Sequence, residues 1–217
     1  MEPHRKRIRH FHAPGDFHEL TFSCFERSRL LTNHLWRQLL CQAIDRAISS
    51  HQFGLVAFVL MPEHVHLLVD SGGQAARTLA GQGPQSRPTP VRAHSTQSTV
   101  ARLSRLLADI KRPYSGRIRK ILLKDHDPLL SSLTVMERPG KLAFRFWQEG
   151  PGYDRNLSSK KSVLAAIDYI HLNPVRRGLA ARAVDWKWSS ARWYVSDGND
   201  CDPDLPTIHG PPAGFFD

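Results

Sequence analysis

Two β-rich runs set almost back to back constrain this chain more than any other feature. Phe53-Gly54-Leu55-Val56-Ala57-Phe58-Val59-Leu60 is nearly continuous apolar sequence, which suits a strand buried on both faces. Met61-Pro62-Glu63 interrupts it, and His64-Val65-His66-Leu67-Leu68-Val69-Asp70 resumes as a second strand. So short a connection predicts an antiparallel hairpin, because parallel strands need a long crossover. A buried strand needs covering elements, and the flanking sequence offers them. Glu19–Phe25 alternates as a first strand. Thr32-Asn33 reads as a helix N-cap, followed by Trp36, Leu39/Leu40, Ala43/Ile44 and Ala47/Ile48 at helical spacing as far as Ser50.

Downstream, Val100, Leu103, Leu106/Leu107 and Ile110 mark a second helix that Pro113 should break or kink, with Arg117–Lys124 as a further basic turn or two. Leu142–Trp147 reads as a strand, and Glu149–Asn156 as a glycine-rich turn. Val163, Ala166/Ile167 and Ile170 form a third amphipathic helix, which Pro174 should end. The order β, α, β, β, α, β, α predicts an α+β fold: a ferredoxin-like, split-βαβ antiparallel sheet with packed helices.

The 217 residues suit one domain with appendages. Residues 1–16 read as a basic flexible arm, 17–195 as a single domain with a low-complexity insertion at about 71–98, and 196–217 as a loosely packed tail. Thirty Lys and Arg against twenty Asp and Glu leave a net charge of +10, which favours a polyanionic partner through counterion release. The three cysteines lack C-x-x-C spacing, so a disulfide framework and a cysteine zinc site are not expected, in keeping with a reducing cytoplasm. No apolar window reaches the roughly 18 residues of a membrane span, and no export signal is read at the N-terminus.

The chemistry-bearing residues fall in two places. On a strand, His64 and His66 project to the same face, and two neutral imidazoles at that spacing can hold one divalent cation; a pair of exposed or capped histidines is the alternative. On the third helix, Asn173 follows Tyr169 by four residues, about 40° of rotation, so both side chains can point the same way. A phenol, an amide oxygen and a two-histidine metal would suit attack on a phosphodiester. A boundary tyrosine and a C-capping asparagine would satisfy the same spacing.

Taken together, Met61-Pro62-Glu63-His64-Val65-His66 and Asp168-Tyr169-Ile170-His171-Leu172-Asn173-Pro174-Val175 resemble the single-tyrosine HUH transposases of insertion-sequence-200 type. Within that group the chain is most similar to the REP-associated tyrosine transposases. Phe146-Trp147-Gln148 and Asp185-Trp186-Lys187-Trp188-Ser189-Ser190 match two further motifs in order, so the resemblance runs from about Phe22 to Tyr194. It implies His64, His66 and Asn173 as metal ligands, Tyr169 as nucleophile, and Mg²⁺ or Mn²⁺ as the ion. It also implies single-stranded or hairpin DNA as substrate, cleaved and rejoined through a 5′-phosphotyrosine, by a monomer or homodimer in the cytoplasm, at the nucleoid. A DNA-binding protein that keeps the fold with little cleavage, and a hydrolase that activates water on the histidine pair, are the competing classes.

Other residues carry two readings each. Glu63 can orient the first histidine's second ring nitrogen or be a solvated turn carboxylate. Arg176 and Arg177 can contact DNA or complement the helix dipole. Arg102, Arg105, Lys111, Arg112, Arg117, Arg119 and Lys120 make a phosphate-binding stripe or a solvated face. Trp147, Trp186 and Trp188 suit the core better than base stacking, and Tyr153 is a rival nucleophile outside the Y-x-x-x-N context.

Overall fold

A computed structural model describes residues 17–72, 99–150, 152–211 and 215; the basic arm and all but the first two residues of the expected insertion lie outside them. Its main sheet has four antiparallel strands, β1 (Phe17–Ser23), β2 (Gly54–Leu60), β3 (His64–Asp70) and β6 (Tyr153–Leu157), in the order β2-β3-β1-β6. Between β1 and β2 runs α1 (His34–His51), so β1 and β2 are separated by β3 in the sheet, the split βαβ arrangement. Asn33 caps α1 by accepting from the Trp36 backbone N–H at 3.2 Å.

Period-two alternation divides the core. Leu20, Phe22, Val65, Leu67 and Val69 face a layer made by α1 and α2 (Thr99–Lys124). On the opposite face, Phe17, Val59, Leu68 and Leu157 pack against Val163, Ala166, Ile167 and Ile170 of α4 (Lys160–Arg176). Burial on both faces explains the unbroken apolar run of β2.

Three expectations need correction. Pro113 does not break the second helix: α2 continues from Thr99 to Lys124 in one piece, because Leu103, Leu106, Leu107, Ile110, Tyr114, Ile118 and Leu122 form one buried stripe across the proline. Pro174 likewise lies inside α4, which ends at the C-cap Arg177 and turns at Gly178 (φ 67°). The fourth strand of the main sheet is Tyr153–Leu157, overlapping the second half of the expected glycine-rich turn, while Lys141–Phe144 (β5) pairs, among the described residues, only with β4 (Thr134–Arg138) in a separate hairpin after the short α3 (Leu129–Ser132). Phe146 and Trp147 enter the core instead of extending β5, and Trp147 bridges Cys24 at the end of β1.

Described residues of the tail rest on the domain. Leu205 and Ile208 pack on the core, Thr207 N–H donates to Asp45, and Lys187 pairs with Asp204 at 2.6 Å. With the Trp-Ser motif, which leads into α5 (Ala191–Val195), the tail covers the outer edge of β2. Leu60 N–H donates to Trp188 O, Ser190 N–H to Phe58 O, and His209 N–H to Leu55 O. An otherwise open row of edge hydrogen-bonding groups is thereby satisfied. Trp147 and Trp188 are buried, and Trp186 donates its indole N–H to Leu60 O, so the three tryptophans serve packing.

Candidate nuclease site

β3, β1 and α4 assemble the site. The pleat of β3 sends His64 and His66 to the face that α4 covers, and their Nε2 atoms stand 3.0 Å apart. Each ring is held through its other nitrogen. Glu63 Oε1 lies 3.2 Å from His64 Nδ1 and also takes Arg177 at 2.5 Å. Thr21 Oγ1 on β1, directly opposite His66 in the sheet register, lies 2.8 Å from His66 Nδ1. A carboxylate can only accept, so His64 carries its proton on Nδ1 and leaves a lone pair on Nε2. The Thr21 hydroxyl can accept from His66 in the same way.

Two lone pairs facing each other at this distance repel unless something cationic lies between them. Burial disfavours charge on both rings: it pushes His66 down to about 3, with His64 adding to the effect, and it also lowers His64 against the opposing pull of Glu63. The buried Asn173 amide completes the convergence, its Nδ2 3.1 Å from His66 Nε2. A half-turn of that amide presents Oδ1 instead. Two nitrogens 3.0 Å apart match adjacent ligands on an octahedral cation with bonds of about 2.1 Å, so the donor set fits a divalent ion with two imidazoles, one amide oxygen and open positions. Among the described residues no three His, Cys, Asp or Glu side chains are placed to hold one metal ion, which makes the amide the third candidate donor.

Tyr169 lies one helical turn before Asn173. Its ring centroid is 5.5 Å from that of His66, it is 40% exposed, and the Arg176 guanidinium sits 5.2 Å over its face. Histidine pair, tyrosine and asparagine line one open cleft of about 490 Å³ with Arg27, Arg155, Arg176, Arg177 and Tyr153. His171 points elsewhere, bonding Ser190 Oγ at 2.8 Å.

Sequence reasoning did not single out Thr21, Arg27, Glu19 or Arg155. Arg27 follows Glu26 in a tight turn where both residues have positive φ (50° and 52°), a conformation that non-glycine residues seldom adopt. Gln148 Oε1 accepts from Glu26 N–H and Phe146 O from Phe25 N–H, and these bonds hold the turn against the cleft. A Glu-Arg pair with no glycine announces no such turn.

The basic cluster on α2 divides. Arg105, Arg112, Arg117, Arg119 and Lys120 are exposed. Arg102 instead donates to Ser71 O and His51 O, and Lys111 Nζ to Gly150 O over the Phe22 ring, so those two cations brace the fold.

Residues 17–78 match the family model described as IS200-like transposase. No curated protein matches the sequence. Among solved structures, a REP-associated tyrosine transposase bound to a REP hairpin is similar at a TM-score of 0.57 and 18% identity, covering 95% of this chain and 97% of that one. A transposase from Deinococcus radiodurans, described as putative, aligns at a TM-score of 0.38 and 15% identity over 78% of this chain and 97% of its own. Residues 17–78, which span β1, α1, β2 and β3, thus match the IS200-like transposase model, and the fold is similar to that of a REP-associated tyrosine transposase.

Proposed function

We propose that this protein is a single-tyrosine transposase that cleaves and rejoins single-stranded DNA near a hairpin. One observation carries the reading: His64, His66, Asn173 and Tyr169 converge in one arginine-walled cleft. Phosphate oxygens are expected at Arg27, Arg176 and Arg177, and the scissile phosphorus at the Tyr169 hydroxyl. The Tyr169 oxygen attacks phosphorus, forming the Tyr–O–P bond as the P–O3′ bond breaks. The phenolic proton is lost to solvent, and the leaving 3′ oxygen gains one. The product is a 5′-phosphotyrosine and a free 3′-OH, which can reverse the step or attack another junction, so no nucleotide cofactor is needed. Mg²⁺ or Mn²⁺ held by His64, His66 and Asn173 would supply Lewis-acid polarisation of a phosphate oxygen. Glu63 and Thr21 orient the two imidazoles, and Arg105, Arg112, Arg117, Arg119 and Lys120 extend the phosphate-binding surface along α2.

The test is a covalent-adduct gel with 3′-labelled single-stranded hairpin oligonucleotides from the flanks of the gene, run with Mn²⁺ or with EDTA. A metal-dependent adduct with the wild type that vanishes in Tyr169→Phe is expected. An adduct that persists in Tyr169→Phe would transfer the nucleophile to Tyr153. Hairpin binding with no adduct would favour a DNA-binding protein that has kept the fold without the cleavage.

A further inference from the structure

Tyr153 lines the same cleft, and the chemistry above leaves it unused. It is 51% exposed, and among the described residues its side chain has no hydrogen-bond, ion-pair or ring partner. The backbone that carries it is tightly fixed. Gly152, immediately before it, has φ +80°, and a Cβ there would stand 2.3 Å from the Thr21 carbonyl oxygen, so only glycine lets the chain approach β1 this closely. Tyr153 then pairs with Thr21 and Arg155 with Glu19, and Arg155 is tied to the buried Glu19 carboxylate at 2.7 Å. Lys111 anchors the loop upstream through Gly150 O.

Tyr153, Thr21 and His66 form one cross-strand row, with their side chains on the same face of the sheet. Two strand spacings separate Tyr153 from His66, roughly 10 Å. An exposed aromatic ring on a fixed backbone, in a cleft walled by Arg27, Arg155 and Arg176, suits a ligand that is both planar and anionic. An apolar peptide would leave the Arg27 and Arg176 guanidiniums without a counter-charge, whereas Arg155 already has Glu19. We infer that Tyr153 is a stacking platform for an unpaired nucleobase of a single DNA strand whose phosphates lie along the arginines. The ligand class rests on the proposed DNA-cleaving function; the platform itself requires no cleavage.

The test measures binding by fluorescence anisotropy in EDTA, with the full chain. The probes are a short fluorescent oligothymidylate and an abasic strand of equal length, which keeps the phosphates and removes the bases. The wild type is expected to prefer the thymidylate. Tyr153→Ala should weaken thymidylate binding about 5- to 100-fold and leave the abasic strand unchanged, while Tyr153→Phe keeps both affinities. Equal loss on both strands, no loss on either, or a wild type indifferent to the bases overturns the platform. Base-dependent binding by a protein that forms no Tyr169 adduct would refute the cleavage reading alone. Adduct formation with Tyr153→Ala unaltered in binding would refute the platform alone.

Discussion

Thr21 shows how one hydroxyl can govern a two-histidine site. Placed opposite His66 by the sheet register and 2.8 Å from its Nδ1, it can accept the Nδ1 proton and so support the tautomer whose Nε2 lone pair faces His64. Thr21→Val keeps the shape of the side chain and removes the partner. It should lower Mn²⁺ affinity about 10-fold or more, read by titrating the free-ion EPR signal. His171 makes a different prediction. Burial pushes it down to about 4, below the 6.5 of an unfolded histidine, so between those values the unfolded chain binds more protons than the folded one. Stability is therefore lost as pH falls from about 6.5 to 4, by on the order of 3 kcal/mol from this residue. In thermal melts His171→Gln should shrink the gap in Tm between neutral pH and pH 4, although it loses stability at neutral pH with the Ser190 hydrogen bond. At this scale the sequence was readable wherever a regular period places side chains. The shared face of His64 and His66 follows from the pleat, and that of Tyr169 and Asn173 from the helical turn. Thr21 and Arg27 were unreadable because a strand register and a positive-φ turn bring them to the cleft from distant parts of the chain.

Among the elements, Pro113 and β6 mark where local rules lost to packing. A proline inside a helix forfeits one hydrogen bond and crowds the carbonyl four residues back, at about 3 kcal/mol. Seven buried side chains along α2 outweigh that cost, and their spacing on either side of Pro113 was visible in advance as two separate helical patterns. Pro113 itself is exposed, so Pro113→Ala should raise stability by about 1–3 kcal/mol in chemical denaturation, with no change in the cleft. β6 escaped sequence reading for the opposite reason. An edge strand pairs on one side only, and Tyr153-Asp154-Arg155-Asn156-Leu157 buries a single apolar side chain, Leu157, so its hydrophobic alternation is nearly silent. The hairpin of β2 and β3, whose first strand is apolar on both faces, was the most legible part of the fold.

Over the whole molecule, the net charge of +10 is partly resolved into geometry. Arg105, Arg112 and Arg119 recur every seven residues on the exposed side of α2 and so form nearly one line along it. If single-stranded DNA tracks that line, replacing all three by alanine should reduce the slope of log Kd against log salt by about 2, the counterion share of three phosphate contacts. The comparison is made by anisotropy titration across salt concentrations. Composition alone announced an anionic partner, but it could not separate cations that face solvent from Arg102 and Lys111, which hold backbone carbonyls.

The sheet itself bears on assembly. Trp188, Ser190 and His209 have closed the β2 margin, and among the described residues β6 pairs only with β1. Among the described residues, growth of this four-stranded sheet by strand addition thus has one open margin, and its threshold is the strand that carries Tyr153. Two copies joined there would set their clefts side by side across a twofold seam, so quaternary architecture and access for the nucleic acid would be decided along the same few ångströms of backbone.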